Sequence, residues 1–193
     1  MRIGIDVDDT ITNSYDIIFD LIGKVYNKDS NKMKADGVTY SDVMKDPINF
    51  PNYDQFMINN FDNIMPNVTL KKNAKEVINK LHEEGHQIII ITARDDKEYS
   101  NPYMTTYLYL VKHDILFDKI FVNRKDKGSL CNEEKIDIFI DDSVTNCKSA
   151  INNGINTFLF DSTFNKKNND IKRVHDWNDV YKIVNEIDDN KKE

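Results

Sequence analysis

Three carboxylates that directly follow a short apolar run constrain this chain more than any other feature. Residues 1–5 have the pattern of a buried strand, and three aspartates come within the next four positions: Asp6, Asp8 and Asp9. Side chains two apart on a strand share a face, so Asp6 and Asp8 are expected on one side. Two carboxylates held close together repel unless a cation lies between them or one keeps a proton. The alternative interpretation is a solvated acidic turn with no site. The sequence further along the chain distinguishes the two interpretations.

Behind this first strand, patterns typical of strands and helices alternate. Apolar runs of the kind found in buried parallel strands are predicted at residues 87–91, 119–122, 136–140 and 157–160. Helical spacing of apolar residues is found at 14–27, 56–64, 70–84, 103–113, 128–135, 144–153 and 177–187. This alternation predicts an α/β fold: a Rossmann-like parallel sheet in three layers, with helices on both faces. The charged C-terminal tail, residues 189–193, is expected to be frayed, and the fraying is expected to begin at about residue 188.

The connection from the first strand to the helix at residue 70 is unusually long. Roughly 55 residues intervene, whereas a crossover normally needs one helix and short loops. We therefore expect a small, mostly helical cap at residues 14–67, with an irregular stretch at 28–52, inserted after the first strand. The catalytic core would then comprise residues 1–13 and 68–188.

The predicted cap is rich in aromatic residues, which would lie over the carboxylates. They are Tyr40, Phe50, Tyr53, Phe56 and Phe61. We expect the cap to cover the site and select the substrate, with hinges near residues 12–14 and 66–67. Alternatively, these aromatic residues form only the small core of the cap itself. Tyr40 and Phe56 are taken as possible substrate contacts.

Polar side chains follow the predicted strands of the core, including Asp161 and Ser162 after the last one, and the carboxyl ends of parallel strands meet at one edge of a sheet. Those of the first four strands carry the prediction. They are Asp6, Asp8 and Asp9; Thr92 and Arg94; Lys125 and Lys127; Asp141 and Asp142. Hard cations such as Mg²⁺ take oxygen ligands and are commonly shared with a substrate phosphate. The combination predicts a Mg²⁺ site that binds a small phosphorylated substrate.

Composition excludes several other classes of partner. The chain has 26 basic and 33 acidic residues and a net charge of -7, so a nucleic-acid polymer or an anionic membrane is not expected as the main partner. The two cysteines, Cys131 and Cys147, have neither zinc-site nor disulfide spacing. No stretch reads as a signal peptide or a membrane span, so we expect a cytoplasmic protein. The oligomeric state is not predicted.

The motifs at the strand ends resemble those of the haloacid dehalogenase superfamily of phosphohydrolases, and more narrowly bacterial proteins similar to 5′(3′)-deoxyribonucleotidases. The first motif of that superfamily, Asp-x-Asp-x-Thr, is matched by residues 6–10. The second, a Thr or Ser that ends an apolar strand, is matched by Thr92. A lysine before the fourth motif is matched by Lys127, with Lys125 as the alternative. The fourth, an Asp-Asp pair that ends a strand, is matched by residues 141–142.

This resemblance implies a mechanism. Asp6 would attack phosphorus and become an aspartyl-phosphate, and Asp8 would protonate the leaving alkoxide and then activate water. Asp8 must hold a proton near neutral pH for the first of these steps. Mg²⁺ would be bound by Asp6, by the main-chain carbonyl of Asp8, and by one of Asp141 or Asp142, a choice that the sequence leaves open.

The resemblance also implies how the phosphoryl group is held. Thr92, Lys127 and main-chain N–H groups such as that of Ala93 would contact its oxygens and offset charge in the transition state. Arg94 is expected either to reach the phosphate or to brace Asp141. The stretch from Lys127 to Asp141 is longer than in the animal deoxyribonucleotidases, so Lys125 stays open as the alternative lysine.

The implied activity is a Mg²⁺-dependent phosphomonoesterase, a 5′(3′)-nucleotidase acting on (deoxy)nucleoside monophosphates. One alternative keeps the chemistry and changes the substrate to a sugar phosphate or another small metabolite. A phosphoacceptor module of the receiver type is disfavoured by the order of the motifs and by the long insertion. A catalytically silent binding module is disfavoured because every expected catalytic position is filled. The position of the phosphate, 3′ or 5′, is not predicted.

Overall fold

The computed structural model describes residues 1–36, 38, 42–43, 45–168 and 170–191. Its strands are β1 (Arg2–Ile5), β2 (Gln87–Ile91), β3 (Lys119–Phe121), β4 (Ile138–Asp141), β5 (Asn156–Phe160) and β6 (Arg173–Val174). They pair in parallel in the order β3-β2-β1-β4-β5-β6. In this doubly wound order β2 and β3 are added on one side of β1, and β4, β5 and β6 are added on the other. Sheets of this kind bind ligands at the switch point, which here lies between β1 and β4. The predicted α/β fold is confirmed.

The described helices occupy most of the predicted positions. They are α1 (Ser14–Tyr26), α2 (Ser30–Asp36), α3 (Tyr53–Ile64), α4 (Ala74–Glu83), α5 (Pro102–Lys112), α6 (Lys127–Glu133), α7 (Val144–Asn152) and α8 (Trp177–Asn190), with a 3₁₀ turn at Met65–Asn67. No helix among the described residues has the length and apolar character that crossing a membrane requires.

Helices cover both faces of the sheet, and β2 shows how the sequence achieves this. Ile88 and Ile90 pack into one apolar cluster with α4 and α8, whereas Ile89 and Ile91 pack into another with α6 and α7. Successive strand residues face opposite sides, so a strand between two helical layers needs apolar residues at consecutive positions. The isoleucine run supplies them.

The inserted segment packs largely on itself. Side chains of α1, α2 and α3 form an apolar cluster with the 3₁₀ turn. Two tyrosines of the predicted core, Tyr99 and Tyr109, belong to the same cluster. The two crossing segments are joined: Asn13 N–H donates to Thr69 O at 2.9 Å, and Lys71 N–H donates to Ile11 O at 2.8 Å. The division into a cap at 14–67 and a core stays a prediction.

Three local expectations differ from the structure. The stretch 28–52 was expected to be irregular, yet it contains α2. Strand β6 was not predicted, because two residues are too few to show a period. The tail was expected to fray, but α8 continues through Asn190, where Lys191 Nζ contacts Asp137 Oδ1 at 2.5 Å. Residues 192–193 lie outside the described part.

Candidate active site

The loop after β1 is wound around a single carbonyl oxygen. The N–H groups of residues 10, 11 and 12 point to Val7 O at 3.4, 3.0 and 3.1 Å. Asp6 N–H still donates to Ile140 O at 3.0 Å, so the sheet continues up to this aspartate. The Trp177 indole donates to Thr10 O at 3.1 Å and holds the loop from the C-terminal helix. Asp6 and Asp8 therefore lie on a rigid turn at the sheet edge.

Three carboxylates from the ends of β1 and β4 meet at this edge. Oxygen atoms of Asp6, Asp141 and Asp142 lie within 4.8 Å of one another, and all three residues are buried. Buried carboxylates this close repel one another unless positive charge lies between them or one of them keeps a proton. An all-oxygen donor set of this kind fits Mg²⁺.

Lys127 supplies part of that charge. Its Nζ donates to Asp6 Oδ1 and to Asp141 Oδ2, the latter at 2.7 Å, and its side chain is 1% exposed. Nearby carboxylates raise the pKa of Lys127 against the effect of burial. Lys125 is different: its side chain is 70% exposed and its ammonium lies 3.3 Å from Asp95. Of the two predicted lysines, only Lys127 contacts the carboxylate cluster in the described structure.

The neighbouring aspartates Asp141 and Asp142 have unequal partners. Asp141 accepts hydrogen bonds from Lys127, from Ser143 N–H at 2.7 Å and from Asn146 Nδ2 at 3.0 and 3.2 Å. The Asp142 carboxylate has no hydrogen bond or ion pair among the described residues. Burial, and then the charges of Asp141 and Asp6, raise its pKa well above the usual range. Asp142 is therefore the carboxylate whose oxygens are free for a cation.

The pKa of Asp6 is raised as well, to about 7. The largest cause is burial, to which the charges of Asp141 and Asp8 add, while Lys127 opposes them. A bound cation would offset the same repulsion.

Arg94 contacts Asp8 and does not contact Asp141. Arg94 Nε donates to Asp8 Oδ2 and Arg94 Nη2 donates to Asp8 Oδ1, both at 2.8 Å. The guanidinium is buried, and its Nη1 lies 3.2 Å from Thr106 Oγ1. The predicted brace on Asp141 is not found, because Arg94 pairs with Asp8 instead. The predicted contact with a phosphate stays a prediction.

Thr92 and Ala93 follow β2 on the other side of β1. Thr92 N–H donates to Phe121 O at 2.9 Å, and its hydroxyl accepts from Arg94 N–H at 3.3 Å. Both residues line the same cavity as Asp6 and Lys127. The motif residues, far apart in sequence, thus share one cavity.

This cavity has a volume of about 800 Å³ and lies between the core and the inserted helices. The side chains that line it from the insertion are Tyr15, Ile18, Asp54, Met57, Ile58 and Phe61. Phe56 is not among them: it is buried against Tyr26 and Tyr53, at ring distances of 5.5 and 6.0 Å, inside the cap cluster. Tyr40 lies outside the described residues.

Sequence reasoning missed several residues of the cavity. Asn146 anchors Asp141 from the first turn of α7, and Tyr15, Glu98 and Tyr99 line the walls. The sequence offered one indication that these residues line the cavity, namely that each of the four follows a motif by a few residues. Such proximity does not say which way a side chain points.

The fold has many solved relatives. A haloacid dehalogenase family hydrolase from Deinococcus radiodurans, solved with bound phosphate and sodium, aligns with a TM-score of 0.69 at 14% identity, over 96% of this chain and 95% of that one. A Clostridium difficile protein proposed to be a phosphatase gives 0.71 at 18%, over 95% and 97%. A haloacid dehalogenase superfamily hydrolase from Ehrlichia chaffeensis gives 0.59 at 15%, over 96% of each chain. At these identities the likeness concerns the fold.

Comparison with curated protein sequences gives no match. A family match does cover nearly the whole chain. Residues 1–189 match the family described as 5′ nucleotidase, deoxy (Pyrimidine), cytosolic type C protein. The motif residues that carry the resemblance lie within this match and meet in one cavity. The chain therefore belongs to this family of haloacid dehalogenase-like nucleotidases, and it is a phosphatase.

Proposed function

We propose that this phosphatase is a Mg²⁺-dependent phosphomonoesterase that works through an aspartyl-phosphate on Asp6 and acts on (deoxy)nucleoside monophosphates. The observation that carries the proposal is the buried cluster of Asp6, Asp141 and Asp142 around Lys127, open to a cavity large enough for a nucleotide. Family membership supports the nucleotide as the substrate.

The residues proposed to hold Mg²⁺ are Asp6 and Asp142, through their carboxylates, and Asp8, through its main-chain carbonyl. Asp142 is preferred over Asp141 because the oxygens of Asp141 already accept hydrogen bonds from three groups. When bound, Mg²⁺ supplies positive charge that polarises the phosphoryl oxygens and offsets the charge that develops on them. Asp141 would instead keep Lys127 in place.

The proposed chemistry has two half-reactions. A carboxylate oxygen of Asp6 forms a bond to phosphorus while the bond from phosphorus to the ester oxygen breaks, and Asp8 gives its proton to the leaving alkoxide. Water then attacks the aspartyl-phosphate and loses a proton to Asp8, which frees Asp6 and inorganic phosphate. Lys127, Thr92 and the Ala93 N–H are proposed to contact the phosphoryl oxygens. Lys125, exposed and paired with Asp95, is left without that role.

The walls of the cavity suit a nucleoside leaving group. Met57, Ile58 and Phe61 offer an apolar surface from the insertion, and apolar and aromatic side chains of this kind commonly contact the flat faces of a base. We propose that residues 14–67 act as the cap that selects this group, with hinges close to the paired crossing segments. The family description supports a cytoplasmic location for the enzyme.

A sugar phosphate is the second candidate substrate. The observation in its favour is the polar part of the cavity wall, to which Asp54, Lys97 and Glu98 contribute. Sugar hydroxyls could hydrogen bond to these groups, and nothing in the phosphoryl site would change.

The test is phosphate release by the purified protein with Mg²⁺ across deoxynucleoside monophosphates, ribonucleoside monophosphates and sugar phosphates. We expect deoxynucleoside monophosphates to give the highest kcat/KM. Asp6→Asn, which keeps the size of the side chain, should fold normally and lose at least ~1,000-fold in kcat because its neutral amide is a poor nucleophile. Wild-type activity in Asp6→Asn would disprove the mechanism, and a preference for sugar phosphates would disprove only the nucleotide.

A further inference from the structure

Glu98 is a polar residue of the cavity that the proposed chemistry does not use. It lies on the loop between β2 and α5, lines the cavity and is half-buried. Its carboxylate has no hydrogen bond or ion pair among the described residues. An ionised group that is partly removed from water without a partner is destabilising, so a contact made only in the complex is a reason for its position.

The loop that carries Glu98 is fixed against the inserted helices. Asp62 of α3 accepts hydrogen bonds from Ser100 N–H at 3.0 Å and from the Thr105 hydroxyl at 3.3 Å. The next residue along the loop, Tyr99, packs its ring edge-on against Phe61 of α3, with the ring centroids 5.1 Å apart. Glu98 is thus held at the seam between core and insertion, where the leaving group of a substrate would lie.

The charges around Glu98 indicate what it can bind. Burial and then the charges of Asp95 and Asp8 raise the pKa of Glu98, whereas Lys125 and Arg94 lower it. Both cations form ion pairs with other residues: Lys125 Nζ lies 3.3 Å from Asp95 Oδ2, and Arg94 Nη2 lies 2.8 Å from Asp8 Oδ1. Lys97, which also lines the cavity, makes no ion pair with Glu98 in the described structure. Above about pH 7, the raised pKa of Glu98, its ionised carboxylate offers acceptor oxygens, and a donor group of the ligand is its fitting partner.

We propose that Glu98 is a specificity-determining residue of the proposed phosphatase, whose carboxylate accepts a hydrogen bond from a hydroxyl or amino group on the leaving group. This inference rests on the proposed phosphomonoesterase activity and deepens it. The cavity would recognise a substrate with two ends: a phosphate at the Asp6 cluster and a hydrogen-bond donor at the seam.

The test compares substrates with and without such a donor. Nucleoside and sugar monophosphates all carry hydroxyl or amino groups on the leaving group, whereas phenyl phosphate carries none. In Glu98→Gln, we expect KM for the best nucleoside or sugar phosphate to rise about 10-fold with kcat within about twofold, because a hydrogen bond to a charged acceptor is the stronger one. Both constants for phenyl phosphate should stay within about twofold of the parent enzyme. Glu98→Met, which removes both acceptor oxygens, should lose at least as much.

Two controls separate recognition from a structural role. Glu83→Gln, at an exposed position of α4, changes the same side chain away from the cavity and should leave all substrates unaffected. Both Glu98 variants should melt no lower than the parent, because the carboxylate has no partner to lose. A lower melting temperature, an equal loss on phenyl phosphate, or no loss on any donor-bearing substrate would each overturn the inference.

The parent enzyme distinguishes this inference from the proposed function. If it cleaves sugar phosphates and not nucleotides, the nucleotidase proposal fails, and the Glu98 comparison is made on the sugar phosphate. If it cleaves no ester in the panel, the proposed activity and the role of Glu98 both fail.

Discussion

Arg94 donates two hydrogen bonds of 2.8 Å to Asp8, one to each carboxylate oxygen. The guanidinium side chain is 1% exposed, whereas the Asp8 side chain is 24% exposed and faces the cavity. Bidentate pairs of this kind fix the plane of the carboxylate. Each Asp8 oxygen keeps a second lone pair, through which Asp8 can exchange a proton with a leaving group or a water. Arg94 therefore positions the residue proposed as the acid and base.

Arg94→Lys tests this relationship. A lysine keeps the charge and cannot form the forked pair, so Asp8 should lose its fixed orientation. We expect kcat to fall about 10- to 100-fold, with a changed dependence of kcat on pH and with the inhibition constant of inorganic phosphate within about threefold. The measurement is the pH profile of kcat. Arg124→Lys, at an exposed position, is the matched control. An unchanged profile together with weaker phosphate binding would show that Arg94 contacts the phosphate.

Lys127 and Lys125 give a matched pair of substitutions. Lys127→Met removes the only ammonium found within hydrogen-bond distance of Asp6 and Asp141 in the described chain. The two carboxylates would then repel without compensation, so we expect an unfolding free energy lower by about 3 kcal/mol and kcat/KM lower by at least ~100-fold. Lys125→Met removes an exposed ion pair and should change the free energy by less than about 1 kcal/mol. Urea unfolding and steady-state kinetics measure both. Equal effects of the two changes would contradict the assignment of Lys127.

The carboxylate cluster should make the stability of the metal-free protein fall as pH rises. The pKa of Asp6 is raised to about 7, and that of Asp142 is raised as well, so the folded protein holds these protons more tightly than the unfolded chain. The stability from Asp6 is complete below about pH 4 and is lost as the pH passes about 7. We expect the unfolding free energy in a chelator to fall by at least ~1 kcal/mol between about pH 5 and pH 8.

Added Mg²⁺ should reverse this loss, because it binds ionised carboxylates in competition with protons. The urea midpoint should therefore rise more on adding Mg²⁺ at about pH 8 than at about pH 5. Asp142→Asn should flatten the pH dependence and reduce the effect of Mg²⁺. Carboxylates with a lowered pKa, such as those of Glu134 and Asp137, titrate below this range and do not mask it. A midpoint that Mg²⁺ leaves unchanged at both pH values would contradict the proposed metal site.

Gly128 fixes the position of Lys127 through helix packing. A Cβ atom at Gly128 would lie 2.4 Å from Ser149 Oγ and 2.5 Å from the Ser149 backbone, so α6 can approach α7 only with glycine here. Gly128→Ala should push α6 outward, lower the unfolding free energy by about 2 kcal/mol and lower kcat/KM as Lys127 moves. Gly154→Ala is an unsuitable control because its φ is +79°, so Ser129→Ala, exposed on the same helix, serves instead. Parent-like stability and kinetics for Gly128→Ala would contradict this account.

The sequence by itself determined five of the six described strands and the motif residues. The consecutive isoleucines of β2 favour a strand buried on both faces, because β-branched residues prefer strands and so short an apolar run is typical of a buried parallel strand. The order of acidic, hydroxyl and basic residues after successive strands placed Asp6, Asp8, Thr92, Lys127 and Asp141 at one sheet edge, since parallel strands end together. Local chemistry sufficed for these predictions, and the cavity contains all five residues.

Tertiary structure alone decided how these side chains pair. Asp141 and Asp142 are adjacent and chemically identical in the sequence. The carboxylate of Asp141 is nevertheless saturated by Lys127, Ser143 and Asn146, whereas the carboxylate of Asp142 has no hydrogen bond or ion pair in the described chain. Arg94 could not be assigned to Asp8, nor Phe56 to the interior of the cap, because both depend on side-chain direction and on contacts over long sequence separations. Periodicity records which face of an element a residue occupies. The partner on that face is set by how the elements pack.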